Sequence, residues 1–318
     1  MQVFHFDPAD HREKYANEGW VHIAGGIDAA FLDELSEFVS GRFDSHHVAG
    51  RGIGGSKEQA VYEFPQGVDF PGHLFDAVAA VAGLRRETMT LSERHIKAYD
   101  ADAPEDPPAH KDRLSSQVSV GLSIDIPQGS NLVLYPYDHR ETNPFNVSAA
   151  LRDCLPECEL PENLLPGARE LVIEDQPGDV MMFQGSSMWH KRRHAAGAVN
   201  LYLKFNDFGS DPLGEDPATE PLRAATVAAV RDGALAELVA QPARRLDTVS
   251  RRLTRDPGRE VLQADVWGSK PVALNEAEVA LLRGLDGGRP VADVLGEQVT
   301  ERDVRRLAEH GAIDLVAP

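Results

Sequence analysis

Four short segments between residues 171 and 205 constrain the fold more than any other feature, because turns separate them and long helices do not. Each has the length and the alternating pattern of a β-strand, and together they cover 171–174, 179–183, 188–194 and 200–205. Parallel strands would need long crossover connections, which this spacing does not provide. The segments therefore predict antiparallel strands that close into a barrel or a two-sheet sandwich.

The chain before these segments adds strands and helices of similar size. Alternation predicts strands over 91–99, 117–126 and 132–135, and helical spacing predicts helices within 8–43, over 71–82 and over 147–154. Asp28 is in position to cap the second helix of the first group. A glycine-rich loop over 44–60 and a proline-broken insertion over 139–169 lie between these elements. Both are places where a surface loop could contact a substrate.

A histidine and a carboxylate stand two residues apart in the stretch Pro108-Ala-His-Lys-Asp. On an extended strand His110 and Asp112 point to the same face, so both can bind one metal ion. The short pattern arises easily by chance in a chain with 12 histidines, so its context decides. His190, in the third of the four short strands, can supply a third ligand. Two histidines and one carboxylate on one face of a metal leave positions open, as in the non-haem Fe(II) oxygenases.

The sequence around these ligands resembles a known family. Four segments carry the resemblance: Tyr15-Ala-Asn-Glu-Gly-Trp-Val-His-Ile, His110-Lys-Asp112, Gln128-Gly-Ser-Asn-Leu-Val-Leu-Tyr-Pro-Tyr-Asp-His139, and Pro177-Gly-Asp-Val-Met-Met-Phe through His190. They are similar to the 2-oxoglutarate/Fe(II)-dependent dioxygenases, most closely the phytanoyl-CoA hydroxylase-like branch, which is related to the JmjC and cupin-type oxygenases. The resemblance covers about the first 210 residues. It implies a mainly β fold with a double-stranded β-helix (jelly-roll or cupin) core and flanking helices. It also implies Fe(II) held by His110, Asp112 and His190, with 2-oxoglutarate and O₂ as co-substrates.

The resemblance also implies a cation that binds the far carboxylate of 2-oxoglutarate. Relatives usually place an arginine on the strand after the distal histidine, and the stretch 197–205 contains none. Lys204 shares a face of that strand with Asn200 and is the first candidate. Lys97 and Arg192 are the alternatives, and Arg192 could instead bind an acidic substrate.

The presence of Asp112 bears on the type of reaction. Related halogenases replace this carboxylate by a small residue, so Asp112 favours hydroxylation or another oxidation. The resemblance implies an enzyme that hydroxylates an unactivated C–H bond of an amino acid, a peptide side chain or a natural-product intermediate. Two other classes stay open: a non-redox cupin-like metalloenzyme with the same three ligands, and a catalytically inactive β-barrel binding protein.

The composition changes after Gly209, which predicts a second part of the chain. A linker over 211–217 leads into helical patterns over 221–240 and 243–254. Between 274 and 316 three short helices and a strand follow, which resemble a PqqD-like winged-helix module in pattern. We therefore expect an oxygenase domain over 1–210, a linker with helices over 211–260 and a winged-helix-like module over 261–318. The module is expected to serve dimer contact or capture of a peptide substrate.

Charge and composition limit the possible partners. The chain has 51 acidic and 32 basic residues and a net charge of −19, which disfavours nucleic acid and anionic membranes. No run approaches the roughly 18 apolar residues of a membrane span, and no signal peptide is apparent. Cys154 and Cys158 are the only cysteines, which fits a reducing cytoplasm. The expected partners are a small-molecule or peptide substrate and a second copy of the chain in a homodimer.

Overall fold

A computed structural model describes residues 1–41, 57–65, 70–253 and 260–318. The chain divides into two compact units, Met1–Phe208 and Gly209–Pro318. Most of the glycine-rich loop predicted over 44–60 lies outside the described residues. No helix in the described ranges is both long enough and apolar enough to cross a membrane.

The first unit is built around a large antiparallel sheet of six strands. In chain order these are β1 (Trp20–Ile23), β2 (Lys57–Val61), β3 (Thr90–Tyr99), β4 (Val118–Asp125), β7 (Val180–Phe183) and β9 (Val199–Asn206). Within the sheet the order is β1–β7–β4–β9–β3–β2, so strands that are distant in sequence lie side by side. The strands predicted over 91–99, 117–126, 179–183 and 200–205 are confirmed, with small differences at their ends.

A smaller antiparallel sheet contains β5 (Asn131–Tyr135), β6 (Leu171–Ile173) and β8 (Trp189–Arg193), in the order β6–β5–β8. The chain leaves the large sheet after β4, returns to it for β7, crosses again for β8 and ends in the large sheet with β9. This repeated exchange between two antiparallel sheets is a jelly-roll connectivity. The predicted double-stranded β-helix core is thereby confirmed.

The two faces of the large sheet differ in polarity. Its outer face forms one apolar core with three helices, α1 (Ala9–Glu18), α2 (Ala29–Gly41) and α3 (Phe75–Ala82). Leu201 and Leu203 of β9 belong to that core, whereas Asn200 and Lys204 alternate with them and are buried on the other face. The face that looks toward the small sheet therefore carries polar and charged side chains, which a purely structural core would not need.

The predicted insertion covers the outer face of the small sheet. It contains two short helices, α4 (Ser148–Cys154) and α5 (Pro161–Leu164). Leu151 and Leu164 pack on a cluster that includes Val133 and Trp189 of the sheet. The insertion thus lies next to the strand that carries His190.

The second unit mixes helices and strands around its own core. Its elements are α6 (Thr219–Asp232), β10 (Val239–Pro242), β11 (Leu246–Leu253), β12 (Glu260–Val266), β13 (Val272–Ala273), α7 (Glu276–Gly284), α8 (Val291–Val294), α9 (Glu301–His310) and β14 (Ile313–Val316). β10 pairs with β14, and β11, β12 and β13 form a three-stranded sheet. The three helices and final strand predicted over 274–316 are confirmed, including the Thr300 capping box of α9.

The helix predicted over 243–254 is wrong, because β11 occupies Leu246–Leu253. Its pairing with β12 supplies backbone hydrogen bonds from distant residues, and this long-range pairing overrides the local helical pattern. Val230 and Leu235 pack in one cluster with Leu281 and Leu307, and the predicted boundary at 260 stays a prediction. The resemblance to a winged-helix module and the proposed dimer contact stay predictions.

Leu307→Ala should destabilise the second unit without affecting the metal centre. Leu307 is buried in the core of that unit, and truncating a buried leucine costs about 2–5 kcal/mol. We expect a lower unfolding temperature for one calorimetric transition and an unchanged metal affinity. Val249→Ala is the matched control, because Val249 is 39% exposed and its truncation should have little effect. A loss of metal affinity in Leu307→Ala would contradict the independence of the two cores.

Candidate metal centre

The three predicted ligands come together where two distant segments pair. His110 and His190 form an isolated antiparallel bridge, in which each backbone N–H donates to the other residue's carbonyl oxygen at 2.9 Å. Two residues further on, the backbone N–H of Asp112 donates to the Gly185 carbonyl at 2.9 Å. These hydrogen bonds hold the segment before β4 against β8 and the turn that precedes it. The ligand geometry is therefore set by the backbone of the barrel.

The donor atoms are close enough to share one ion. One donor atom from each of His110, Asp112 and His190 lies within 4.8 Å of the others. His190 Nε2 is 3.7 Å from Asp112 Oδ2, and the two imidazole centroids are 4.4 Å apart. Within the described ranges, no other group of three His, Cys, Asp or Glu side chains is spaced to hold a metal.

Access to this centre is one-sided. Asp112 and His190 are buried, whereas His110 is partly exposed. A cavity of about 280 Å³ borders His110 and is lined also by Trp189 and by Leu151 and Pro161 of the insertion. His110 is therefore the most accessible of the three ligands.

The orientation of His190 is fixed by its neighbours. Its Nδ1 lies 3.0 Å from the Met188 carbonyl oxygen. Since a carbonyl can only accept, Nδ1 carries the proton and Nε2 keeps its lone pair for a metal. The ring of Phe183 packs edge-on against the imidazole at 4.8 Å between centroids. Metal-binding histidines are commonly oriented by such a hydrogen bond from the second ring nitrogen.

The protonation states of the triad suit metal binding. Burial, followed by the neighbouring His190, lowers the pKa of His110 well below its usual value, and burial lowers the pKa of His190 as well. Burial acts to raise the pKa of Asp112, but opposing positive charge, chiefly the Lys204 ammonium, holds that pKa well below its usual range. Two neutral imidazoles and one carboxylate are therefore present at neutral pH, a donor set that fits a divalent first-row metal.

The Asp112 carboxylate is held from the large sheet. Ser119 Oγ donates to Asp112 Oδ2 at 2.6 Å, and Lys204 Nζ donates to the same oxygen and, at 2.9 Å, to Ser119 Oγ. Lys204 is only 2% exposed. Gly185 leaves room for this hydrogen bond, because a Cβ at that position would lie 1.9 Å from Ser119 Oγ and 2.6 Å from Asp112 Oδ2. The carboxylate sits in a space that no larger residue at 185 would leave.

The residue between the two proximal ligands anchors their segment. Lys111 Nζ donates to the carbonyl oxygens of His139 and Glu141 at 2.7 and 2.6 Å and lies 5.0 Å from the Trp189 ring centroid. Asn143 adds a hydrogen bond from its Nδ2 to the Asp112 carbonyl at 2.9 Å. The His-x-Asp segment is therefore tied to the start of the insertion.

The other predicted site residues line the same interior but have partners of their own. Lys97 Nζ is 3.0 Å from a carboxylate oxygen of Glu93. Arg192 donates to Asp175 at 2.7 Å and to Ser130 at 3.2 Å. Asn200 lies opposite Lys97 in the strand register and makes a long, 3.4 Å contact with Ser123. Lys204, the first candidate for the co-substrate anchor, contacts the metal-binding carboxylate itself.

Sequence reasoning missed several residues that surround the triad. Ser119, Gly185, Glu93 and Asp175 all contact predicted site residues, yet none stands in a recognisable motif. Strand parity could have found Ser119 and Glu93 once the register was known, because both lie directly opposite Lys204, on β4 and β3. Gly185 carries no such signal, since a glycine after a strand is usually a turn residue.

Among the described residues, Arg192, Asp175 and Asn200 each have a buried polar atom without a hydrogen-bond partner. These atoms are Arg192 Nε, Asp175 Oδ1 and Asn200 Oδ1. Leaving such atoms unsatisfied costs about 1–3 kcal/mol each. Their presence fits an interior that water or a polar ligand fills.

Comparisons with known proteins give structural likeness without a family assignment. No family model matches the chain, and no curated protein matches it either. The phytanoyl-CoA hydroxylase-like branch and the PqqD-like module therefore stay predictions.

Among solved structures, one similar protein is a Pseudomonas putida prolyl-4-hydroxylase, with 16% identity, a TM-score of 0.42 and coverage of 63% of this chain and 98% of that one. Two others come from nogalamycin biosynthesis and are described as non-heme alpha-ketoglutarate-dependent enzymes. The epimerase SnoN has 16% identity, a TM-score of 0.47 and coverage of 63% and 84%. The carbocyclase SnoK has 12% identity, a TM-score of 0.48 and coverage of 62% and 83%. Likeness this distant does not identify a substrate or a reaction.

Proposed function

We propose that this protein is a non-haem Fe(II)- and 2-oxoglutarate-dependent oxygenase that hydroxylates a C–H bond of an amino acid, a peptide side chain or a natural-product intermediate. The observation that carries the proposal is the donor set of His110, Asp112 and His190, gathered within 4.8 Å inside a jelly-roll barrel. Two imidazoles and one carboxylate are the ligands of the facial triad of iron oxygenases. The sequence resemblance described above supports the same class of enzyme.

The residues around the proposed metal position would have separate roles. His110, Asp112 and His190 would hold the iron, with Met188 and Ser119 fixing the ligand orientations. Iron bound there, with 2-oxoglutarate and O₂ as co-substrates, would supply the oxidant that removes hydrogen from the substrate. A substrate would approach from the side of His110, the partly exposed ligand. Leu134, Phe183 and Met188 belong to an apolar cluster on the His190 side, which limits water there.

Measuring both the turnover of 2-oxoglutarate and the binding of Fe(II) tests this function directly. The purified chain, reconstituted with Fe(II) in air, should convert 2-oxoglutarate slowly to succinate and CO₂ even without its substrate. His190→Ala should lose this conversion because it removes one of three ligands. Metal binding without 2-oxoglutarate consumption would instead support a non-redox metalloenzyme. Failure to bind either metal or 2-oxoglutarate would support a binding protein.

We propose Lys204 as the cation for the far carboxylate of 2-oxoglutarate. Its charge is matched by Asp112. A divalent metal would take up the charge of that carboxylate, which leaves Lys204 in need of another anion. Arg192 is less suited, because its fully buried partner Asp175 is not one of the proposed metal ligands and would stay paired with it.

Lys204→Met should therefore raise the apparent KM for 2-oxoglutarate by at least about 30-fold, since truncating one partner of a buried charge pair costs 2 kcal/mol or more. Lys97→Met and Arg192→Met are the matched comparisons. Metal affinity must be measured separately for each variant, because Lys204 also touches Asp112. A larger effect in Lys97→Met or Arg192→Met than in Lys204→Met would mean that the anchor is one of those residues.

A further inference from the structure

The space between the two sheets of the first unit carries more positive than negative side chains. Among the described residues, the bases that reach it or pair with its acids are Lys57, Lys97, Arg113, Arg192 and Lys204. The carboxylates there are Glu93, Asp112 and Asp175. Glu93 and Asp112 are 3% and 8% exposed and Asp175 is fully buried, so water does little to screen these charges.

The ion pairs show where the excess lies. Arg192 pairs with Asp175 at 2.7 Å, and Lys204 pairs with Asp112. Glu93 is shared, because Lys97 and Arg113 approach its two oxygens at 3.0 and 3.1 Å. One of these two cations is therefore uncompensated.

Lys57 adds a second uncompensated charge. It lies on the edge strand β2, opposite Tyr99, and its Nζ is 5.3 Å from the centroid of that ring. No carboxylate of the described residues forms an ion pair with it. Burial, and next the charge of Lys97, lowers the pKa of Lys57 to about 8.

Lys57 lies on the same face of the large sheet as Lys97, because it pairs with Tyr99, which is two residues from Lys97 on β3. A group bound to Lys57 would therefore lie in the interior that also holds Lys97.

The bound co-factors do not remove this excess. A divalent metal would add two positive charges, and the 2-oxoglutarate dianion would remove two. Among the described side chains, two positive charges would remain in a largely buried space, where an uncompensated charge is costly. The surplus is not a property of the whole chain, whose 51 acidic residues outnumber its 32 basic ones.

We infer that the substrate carries an anionic group, a carboxylate or a phosphate, and that Lys57, next to Lys97, binds it. This inference rests on the proposed function for the identity of the reaction, but the anion site itself depends only on the side chains described. The acidic surface of the protein attracts cations, whereas its locally positive interior would favour anionic molecules. The interior would therefore select anions for the site.

Calorimetric titration of the Fe(II)-loaded chain of 318 residues under argon tests the inference. Inorganic phosphate and acetate are the two probes, each titrated with and without saturating 2-oxoglutarate. At least one of them should bind in the presence of 2-oxoglutarate, and the one that binds more tightly indicates the class of anion. Lys57→Met should weaken binding of that probe at least tenfold. Its effect on 2-oxoglutarate affinity should be at least fivefold smaller than its effect on probe affinity. Lys57→Arg should keep most of the affinity, and Lys270→Met, at an exposed lysine, is the control.

The possible outcomes are distinct. If neither probe binds, or if Lys57→Met leaves phosphate and acetate binding unchanged while the variant remains folded, the inference is overturned. If Lys57→Met weakens chiefly 2-oxoglutarate, then Lys57 is the co-substrate anchor and the substrate assignment is wrong. If 2-oxoglutarate fails to bind but the probes bind through Lys57, the anion site is retained and the proposed oxygenase function fails.

Discussion

Replacing Asp112 by alanine should lower 2-oxoglutarate turnover at least about 100-fold. Mutating a residue that only supports a metal ligand typically costs about 10- to 100-fold in activity, and Asp112 is proposed to be a ligand itself. Asp112 is the one anionic ligand of the triad, and the two imidazoles that would remain are neutral. The variant would also leave the Lys204 ammonium facing the metal position, which disfavours a cation there. Iron affinity, measured by competition with a chelating dye, should fall together with turnover.

The same substitution has a cost for stability that must be separated from its effect on the metal. Lys204 is 2% exposed, and removing the partner of a buried ion pair typically costs about 3–5 kcal/mol. The double variant Asp112→Ala/Lys204→Met removes both charges, so it should recover the unfolding temperature without recovering iron binding. Asp125→Ala, at an exposed carboxylate on β4, is the control. Full turnover by Asp112→Ala would show that the triad is assigned wrongly.

The strands of the first unit could be predicted because their pattern is local. Along β9 apolar and polar residues alternate strictly, and both faces are buried, one against helices and one toward the polar interior. The second unit did not offer the same signal. β11 contains Arg251 and Arg252 in a row, and only its pairing with β12 makes it a strand. A local pattern cannot report a partner that lies elsewhere in the chain.

The same distinction explains how much of the site could be predicted. His110 and Asp112 are neighbours on one extended segment, so their shared face follows from sequence alone. The shared face of Asn200 and Lys204 follows from parity along β9, but the contact of Lys204 with Asp112 does not, because it depends on the pairing of β4 with β9. The unpaired position of Lys57 depends on β2 being the edge strand of the large sheet. Strand order is a property of the whole fold, and no short motif encodes it.

Gly185→Ala should damage the metal centre almost as much as the loss of a ligand, although the change adds only a methyl group. The new Cβ would lie 1.9 Å from Ser119 Oγ and 2.6 Å from Asp112 Oδ2, distances at which atoms cannot coexist. The Gly185 backbone has little freedom to retreat, since its carbonyl accepts the Asp112 N–H and Ser186 beside it donates to the Ser116 carbonyl. We expect the carboxylate to be displaced, iron affinity to fall at least about tenfold, and stability to fall by about 1–3 kcal/mol from overpacking.

A second-site change identifies the cause of that effect. Ser119→Gly removes the atom that the new methyl group would meet first, so Gly185→Ala/Ser119→Gly should recover part of the stability. It should recover less of the iron affinity, because Asp112 Oδ2 is still crowded and has lost the Ser119 hydrogen bond. Gly41→Ala, where a Cβ meets no atom within 4 Å, is the control and should behave like the unaltered protein. If Gly185→Ala bound iron normally, the carboxylate would not need the space that this glycine leaves, and Asp112 would be held by Ser119 and Lys204 alone.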